Sequence, residues 1–210
     1  MKAAHDQFTR NFKHIREIDA LYKFLQDTLL LSTDLSDLLR AQIVYSVSAL
    51  DALIHEFIRI GMLLQFQGKR NTTEKFKSFT ITTHSILNIQ ASIATSPATI
   101  SLPPPEYYYE LEIVMKNRNN AFQDPEKISD GLSLIWNEKH KWQVIAAQIG
   151  SDEQTIKQTL RNIVLRRNQI VHEADNDIQT GLKNKIDYND VQISTSFIET
   201  LGAGLYEVLK

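Results

Sequence analysis

Apolar residues of this chain recur at steps of three and four, and almost nothing interrupts them. Phe8, Phe12, Ile15, Ile18, Leu21, Leu25 and Leu29 lie on one helical face, so the spacing predicts one long amphipathic helix. Glycine and proline, 7 and 5 in 210 residues, are too few for a chain built of turns. Ser32, Thr33 and Asp34 offer N-caps for a second helix running to about Phe66 and closed by Gly68, with Ile43, Val47, Leu50, Ile54 and Ile58 inward. Asn71 with Glu74 reads as a capping box that opens a third helical region through about Ala94. Ser96 to Pro105 breaks the pattern, since Pro103, Pro104 and Pro105 oppose helix. A short helix is expected over Glu106 to Met115, a loop over Gln123 to Gly131, and a helix from Leu132 to Ile149 ended by Gly150. Ser151 with Gln154 suggests a further capping box, for a helix reaching His172. Asp175 to Lys185 is polar and loop-like, and the last helix starts near Asp187. No strand signal and no repeat is visible. The expected fold is all-α: a bundle of five to seven helices with a Pro-rich central excursion, in a single domain over residues 1–210.

Composition removes several classes of function. An apolar fraction of 42% supports a real core. The net charge of -2 gives no global positive field, so nucleic acid would have to be held by a local patch. With no cysteine there are no disulfides and no thiolate metal sites, which fits a reducing cytoplasm. The first residues turn polar without an apolar stretch of signal-peptide type, and no run is long enough to span a membrane. A cytoplasmic protein is the expectation. His55-Glu56 and His172-Glu173 lack the spacing of a metal site, and no P-loop, dinucleotide fingerprint or nucleophile elbow occurs, so no cofactor or metal is expected.

Two charges stand on apolar faces. At about 100° per residue, with Ile156 at zero, Leu160 falls at about 40°, Ile163 at about -20° and Arg167 at about 20°. An arginine there needs a carboxylate, a phosphate or a wet cleft, because burying it unpaired costs several kcal/mol. On the second helix, with Val47 at zero, Ile54 sits at about -20°, Ile58 at about 20° and Asp51 at about 40°, so Asp51 is also on an apolar face. Asp51 is therefore the expected partner of Arg167, either to orient it for a ligand or as a purely structural ion pair. His172 lies about 140° away from Arg167, but Asn168 and His172 share a face at i and i+4, flanked by Leu165. A two-fold axis against that face would bring two such edges into one groove. Lys157, Arg161 and Arg166 add positive charge on the same helix, as a phosphate track or as a solvated face.

The residues Arg167-Asn168-Gln169-Ile170-Val171-His172 resemble the R-x4-6-H motif of the HEPN superfamily of α-helical ribonucleases, which often has a polar residue after the arginine. Tyr45 to Glu56 resembles an early helix of the RiboL-PSP-HEPN branch, and Ile186 to Val191 the start of its last helix. The resemblance implies a homodimer whose joint cleft cuts RNA without a metal, in toxin–antitoxin or other defence systems, with an antitoxin or operon protein as a possible partner. Carried over, Arg167 binds and polarises the scissile phosphate and His172 serves as general base or acid at the ribose 2′-hydroxyl. Asn168 holds the imidazole or a phosphate oxygen, and Asp51 fixes Arg167. Some members of the superfamily only bind nucleotides, RNA or proteins, so a non-catalytic binding module is the alternative.

A third reading comes from residues 142–162, which resemble a helix-turn-helix with Ala146, Gly150 and Ile156 at its small, turn and apolar positions. It would leave Arg166, Arg167 and His172 without a role. Tyr107, Tyr108 and Tyr109 could stack on bases or anchor the excursion on the bundle.

Overall fold

The computed structural model describes residues 1–94, 102–177 and 179–210. Among the described residues are nine α-helices: α1 (Lys2–Lys23), α2 (Ser36–Phe66), α3 (Glu74–Lys77), α4 (Thr83–Ala94), α5 (Pro105–Asn117), α6 (Pro125–Leu132), α7 (Lys141–Ile149), α8 (Glu153–His172) and α9 (Tyr188–Leu209). The fold is all-α, and a single isolated bridge, Asn176 to Lys183, is the one extended pairing among those residues.

Helix α2 is the axis. Its 31 residues span about 46 Å, and α1, α9, α8, α5 and α6 all pack on it. It can serve so many neighbours because apolar residues occupy most of its circumference: Val47, Leu50, Ile54, Phe57, Ile58 and Met62 are sealed from solvent. Helix α1 meets α9 closely, and a Cβ at Gly202 would lie 2.3 Å from the Phe8 ring. Buried side chains from Ala4 to Leu209 belong to one contiguous cluster.

Several boundaries differ from the periodicity, each for a local reason. The first helix does not continue unchanged to Leu29: it widens into a π-helical turn at Phe24–Thr28, where Leu29 N–H reaches Phe24 O at 3.0 Å, and Leu29 ends half exposed. The third helical region is split, because Thr82 N–H leaves the helical ladder to donate to the buried Glu112 carboxylate at 3.1 Å. The cap of α3 is Thr73, not Asn71. The expected loop at Gln123 to Gly131 contains α6 instead. Asp124 caps it, accepting from Glu126 N–H at 2.9 Å, and Pro125 occupies the first turn, where its missing N–H costs nothing. The helix expected from Leu132 to Ile149 begins only at Lys141. Leu134 O is taken by Gln65 Nε2 at 2.8 Å and Thr73 Oγ1 at 3.0 Å, so tertiary bonds replace helical ones there. Pro105 likewise starts α5 rather than opposing it. These splits raise the helix count above the expected five to seven. Most of the non-helical stretch expected at Ser96 to Pro105 lies outside the described residues.

The tyrosine triplet separates. Tyr109 is buried and stacks on Phe66 with centroids 4.4 Å apart, which anchors α5, whereas Tyr107 is half exposed.

Candidate active site

Helix α8 carries the motif. Its cap is Asp152 rather than Ser151, accepting from Thr155 N–H at 2.9 Å, and Gly150 ends α7 in the left-handed conformation at φ 70°. Ile156, Leu160 and Ile163 bury the inward stripe. Arg167 continues that stripe and is half-buried; its Nε is sealed from solvent with no hydrogen-bond partner among the described residues. The guanidinium turns sideways, and Nη1 donates to Asn168 Oδ1 at 3.0 Å. Asn168 stands one helical turn before His172, the exposed last residue of α8. The head of Arg167 thus bends toward the Asn168–His172 edge, which the backbone angle alone does not suggest. Leu165 and Val171, 60% and 45% exposed, flank this edge.

Asp51 is not the partner of Arg167. Its Oδ1 accepts from Phe122 N–H at 2.6 Å, and nearby His55 lies 3.1 Å from Asn120 O and packs edge-on against Phe122. Asp51 and His55 together pin the α5–α6 connection to α2. The carboxylate accepts from a backbone N–H of that connection instead, and the expected ion pair with Arg167 does not form.

The buried carboxylate at this end of the molecule is Asp175, which the sequence shows only as the start of a polar loop. It is 1% exposed. Arg40 Nε donates to Oδ2 at 2.5 Å, Arg166 Nη2 donates to Oδ2 at 2.8 Å, and Arg166 Nη1 bonds Oδ1. Asn184 closes the cage, its Nδ2 reaching Oδ1 at 3.3 Å and its N–H reaching Asp175 O at 2.7 Å. Arg40 is also buried and gives further bonds to Ser36 Oγ at 2.5 Å and Asn184 O at 2.7 Å. Burial works against the Asp175 carboxylate, but the bonds from Arg166, Arg40 and Asn184 outweigh it and hold its pKa below the ordinary aspartate value. The signal for Arg40 was available: counted from Val47 it falls at about 20°, on the same apolar face as Asp51.

This cage sits on an unusual turn. Directly after α8, Ala174 and Asp175 both adopt positive φ, 52° and 57°. Left-handed backbone costs roughly 1–2 kcal/mol per residue outside glycine, less for aspartate. Asp175 N–H returns to Gln169 O at 3.0 Å, tying the turn to the final helical coil.

The other cations of α8 are engaged. Lys157 pairs with Glu153 at 2.6 Å, Arg161 with Glu126 at 2.5 Å, and Arg166 with Asp175. Arg167 is the one cation of this helix with no ion pair among the described residues. Helices α7 and α8 are joined by a short turn at Gly150, but α8 runs on unbroken to the motif, well beyond the stretch 142–162 of the helix-turn-helix reading. Among the described residues, no group of three or more His, Asp or Glu side chains is placed to hold a metal ion, and no helix is long and apolar enough to cross a membrane.

An all-α bundle with Arg-Asn-x3-His closing the 20-residue helix α8 fits a HEPN-type fold. The chain belongs to the RiboL-PSP-HEPN family, whose model matches residues 9–210. No curated protein and no solved structure matches it.

Proposed function

We propose that residues 1–210 act as one HEPN unit: a metal-independent endoribonuclease whose site is completed when two copies meet along the Leu165–Asn168–His172 edge. The observation that carries this is Arg167. A half-buried guanidinium with an orphaned Nε, beside three paired cations, is poorly explained by stability and well explained by an anion that arrives later. Arg167 neutralises the scissile phosphate as charge builds on its oxygens. His172 takes the proton of the ribose 2′-hydroxyl, whose oxygen attacks the phosphorus as the P–O5′ bond breaks; the leaving 5′-oxygen takes a proton from water, giving a 2′,3′-cyclic phosphate and a 5′-hydroxyl. Asn168 Oδ1 holds Arg167, and its amide N–H groups face the phosphate or the imidazole. Lys157 and Arg161 lie farther along the helix and grip neighbouring phosphates by exchanging Glu153 and Glu126 for RNA.

Exposed Leu165 and Val171 beside the catalytic edge support an isologous dimer, which would place two arginines and two histidines in one groove. The setting proposed is cytoplasmic, in a defence or toxin–antitoxin system, where a partner protein restrains the site. The deciding experiment is RNA cleavage in excess EDTA by the wild type, Arg167→Ala and His172→Ala. Cleavage lost in both variants, with cyclic phosphate ends from the wild type, supports the enzyme. Within a single copy the His172 ring makes no hydrogen bond among the described residues. If the wild type binds RNA through Arg167 without cutting it, the chain is a binding module of the same fold.

A further inference from the structure

We infer that Asp175 is a positioning residue for His172, acting through the turn that ends α8; this rests on the ribonuclease reading, in which His172 moves the proton. His172 is the last helical residue, where a helix ordinarily frays, because its closing carbonyls have no partners in the next turn. Here the chain leaves α8 through two consecutive left-handed residues that are not glycine, Ala174 and Asp175. Such a turn persists only when its surroundings over-determine it. The surroundings are the cage: Arg40 from α2, Arg166 from α8 itself, and Asn184 from the far side of the loop, all meeting on the Asp175 carboxylate or its backbone.

Two links then run from the cage to the edge. Asp175 N–H is tied to Gln169 O, and Glu173 N–H to the same oxygen at 3.1 Å, so the coil that contains Ile170, Val171 and His172 is closed from outside. Arg166 also adjoins Arg167 in sequence, so fixing one side chain on Asp175 fixes the helix register from which the other departs. The exposed His172 imidazole has no hydrogen bond of its own among the described residues, so its placement depends on this backbone. Asp175 touches neither phosphate nor ribose in this scheme; its role is to hold the general base still.

The test uses the full chain with two variants. Asp175→Asn removes the charge at the centre of the cage. Asn184→Ala removes only the side-chain bonds at 3.2 and 3.3 Å, leaving both arginine pairs, and keeps the question open to measurement if the first variant does not fold. Steady-state cleavage is measured alongside the NMR signals of the His172 ring and amide exchange over residues 169–173. The expected result is a kcat lower by roughly ten- to a hundred-fold with KM unchanged. The His172 signals broaden and exchange quickens there, while the indole signals of Trp136 and Trp142 stay as in the wild type. A merely structural role would disturb the indoles together with His172, or would move neither. Unchanged His172 signals and exchange in the folded variants overturn the proposal. If the wild type cuts no RNA, the ribonuclease reading falls by itself, and the NMR comparison still decides whether Asp175 orders His172.

Discussion

Arg166 and Arg167 are neighbours in sequence and opposites in role. Arg166 points into the Asp175 cage, where the buried carboxylate, with Gln169 Oε1 and Lys185 O, accepts from its guanidinium. Arg167 points along the core-facing stripe with a buried Nε that bonds to nothing among the described residues. A protein selected for stability alone would treat both alike. The difference separates them: Arg166 is held by the buried Asp175 carboxylate, while the side-chain bond of Arg167 goes to Asn168 Oδ1.

The largest effect should come from the available side. His172→Ala is expected to lower RNA cleavage by about 10²–10⁴-fold, the usual contribution of a general acid or base, with the melting temperature unchanged. Arg167→Met separates function from stability: cleavage collapses, yet thermal stability holds or rises, because an unsatisfied buried donor is removed while the apolar stem is kept. A marked loss of stability in Arg167→Met would show that Arg167 has a structural partner after all and would erase the contrast with Arg166.

On the held side, Asp175→Asn should destabilise the fold by ~3–5 kcal/mol, since Arg40 and Arg166 lose a buried counter-charge; calorimetric or denaturant unfolding measures it. Its pH dependence has a defined sign. The folded-state pKa of Asp175 is depressed, so its contribution is complete above about pH 4 and disappears as pH falls through the lowered folded value. Stability curves of the wild type and Asp175→Asn should therefore converge in acid and separate at neutral pH; a constant gap would remove the carboxylate's charge from the account.

A smaller effect is expected at the proposed subunit contact. Leu165→Glu places a charge on the exposed edge, and should leave the monomer folded while shifting light scattering toward monomer and reducing cleavage. The smallest belongs to the exposed pair Arg161–Glu126. Arg161→Ala should change stability by less than ~1 kcal/mol, and should make the salt dependence of RNA binding shallower by about 0.7 in the logarithmic slope if Arg161 contacts a phosphate.

Helices whose signals are local were legible in the sequence. Helices α2, α8 and α9 follow their apolar stripes, and Asp187 caps α9 as its position suggested. Helix α6 was also written locally, in Asp124-Pro125, but was hidden by the polar residues around it. The breaks between α3 and α4 and before α7 were not legible, because remote groups cause them: Glu112 takes Thr82 N–H, and Gln65 and Thr73 take Leu134 O. The same division holds in the site. Arg167, Asn168 and His172 sit within six residues of one helix, so their spacing could be read directly.

The sequence by itself determined that this chain is helical, that it belongs with RiboL-PSP-HEPN proteins, and that one arginine on an apolar face needed explaining, because periodicity and short-range spacing are properties of the chain. Which carboxylate answers which arginine was decided only by tertiary structure. Asp51 and Arg40 occupy nearly the same face of α2, and Arg166 and Arg167 are adjacent on α8, so angular position cannot choose among them. Packing chose: Asp51 went to Phe122 N–H, and Asp175 came in from a loop 135 residues beyond Arg40 to claim Arg40 and Arg166. An ion pair is a matter of a few ångströms, and only the folded chain sets distances of that kind.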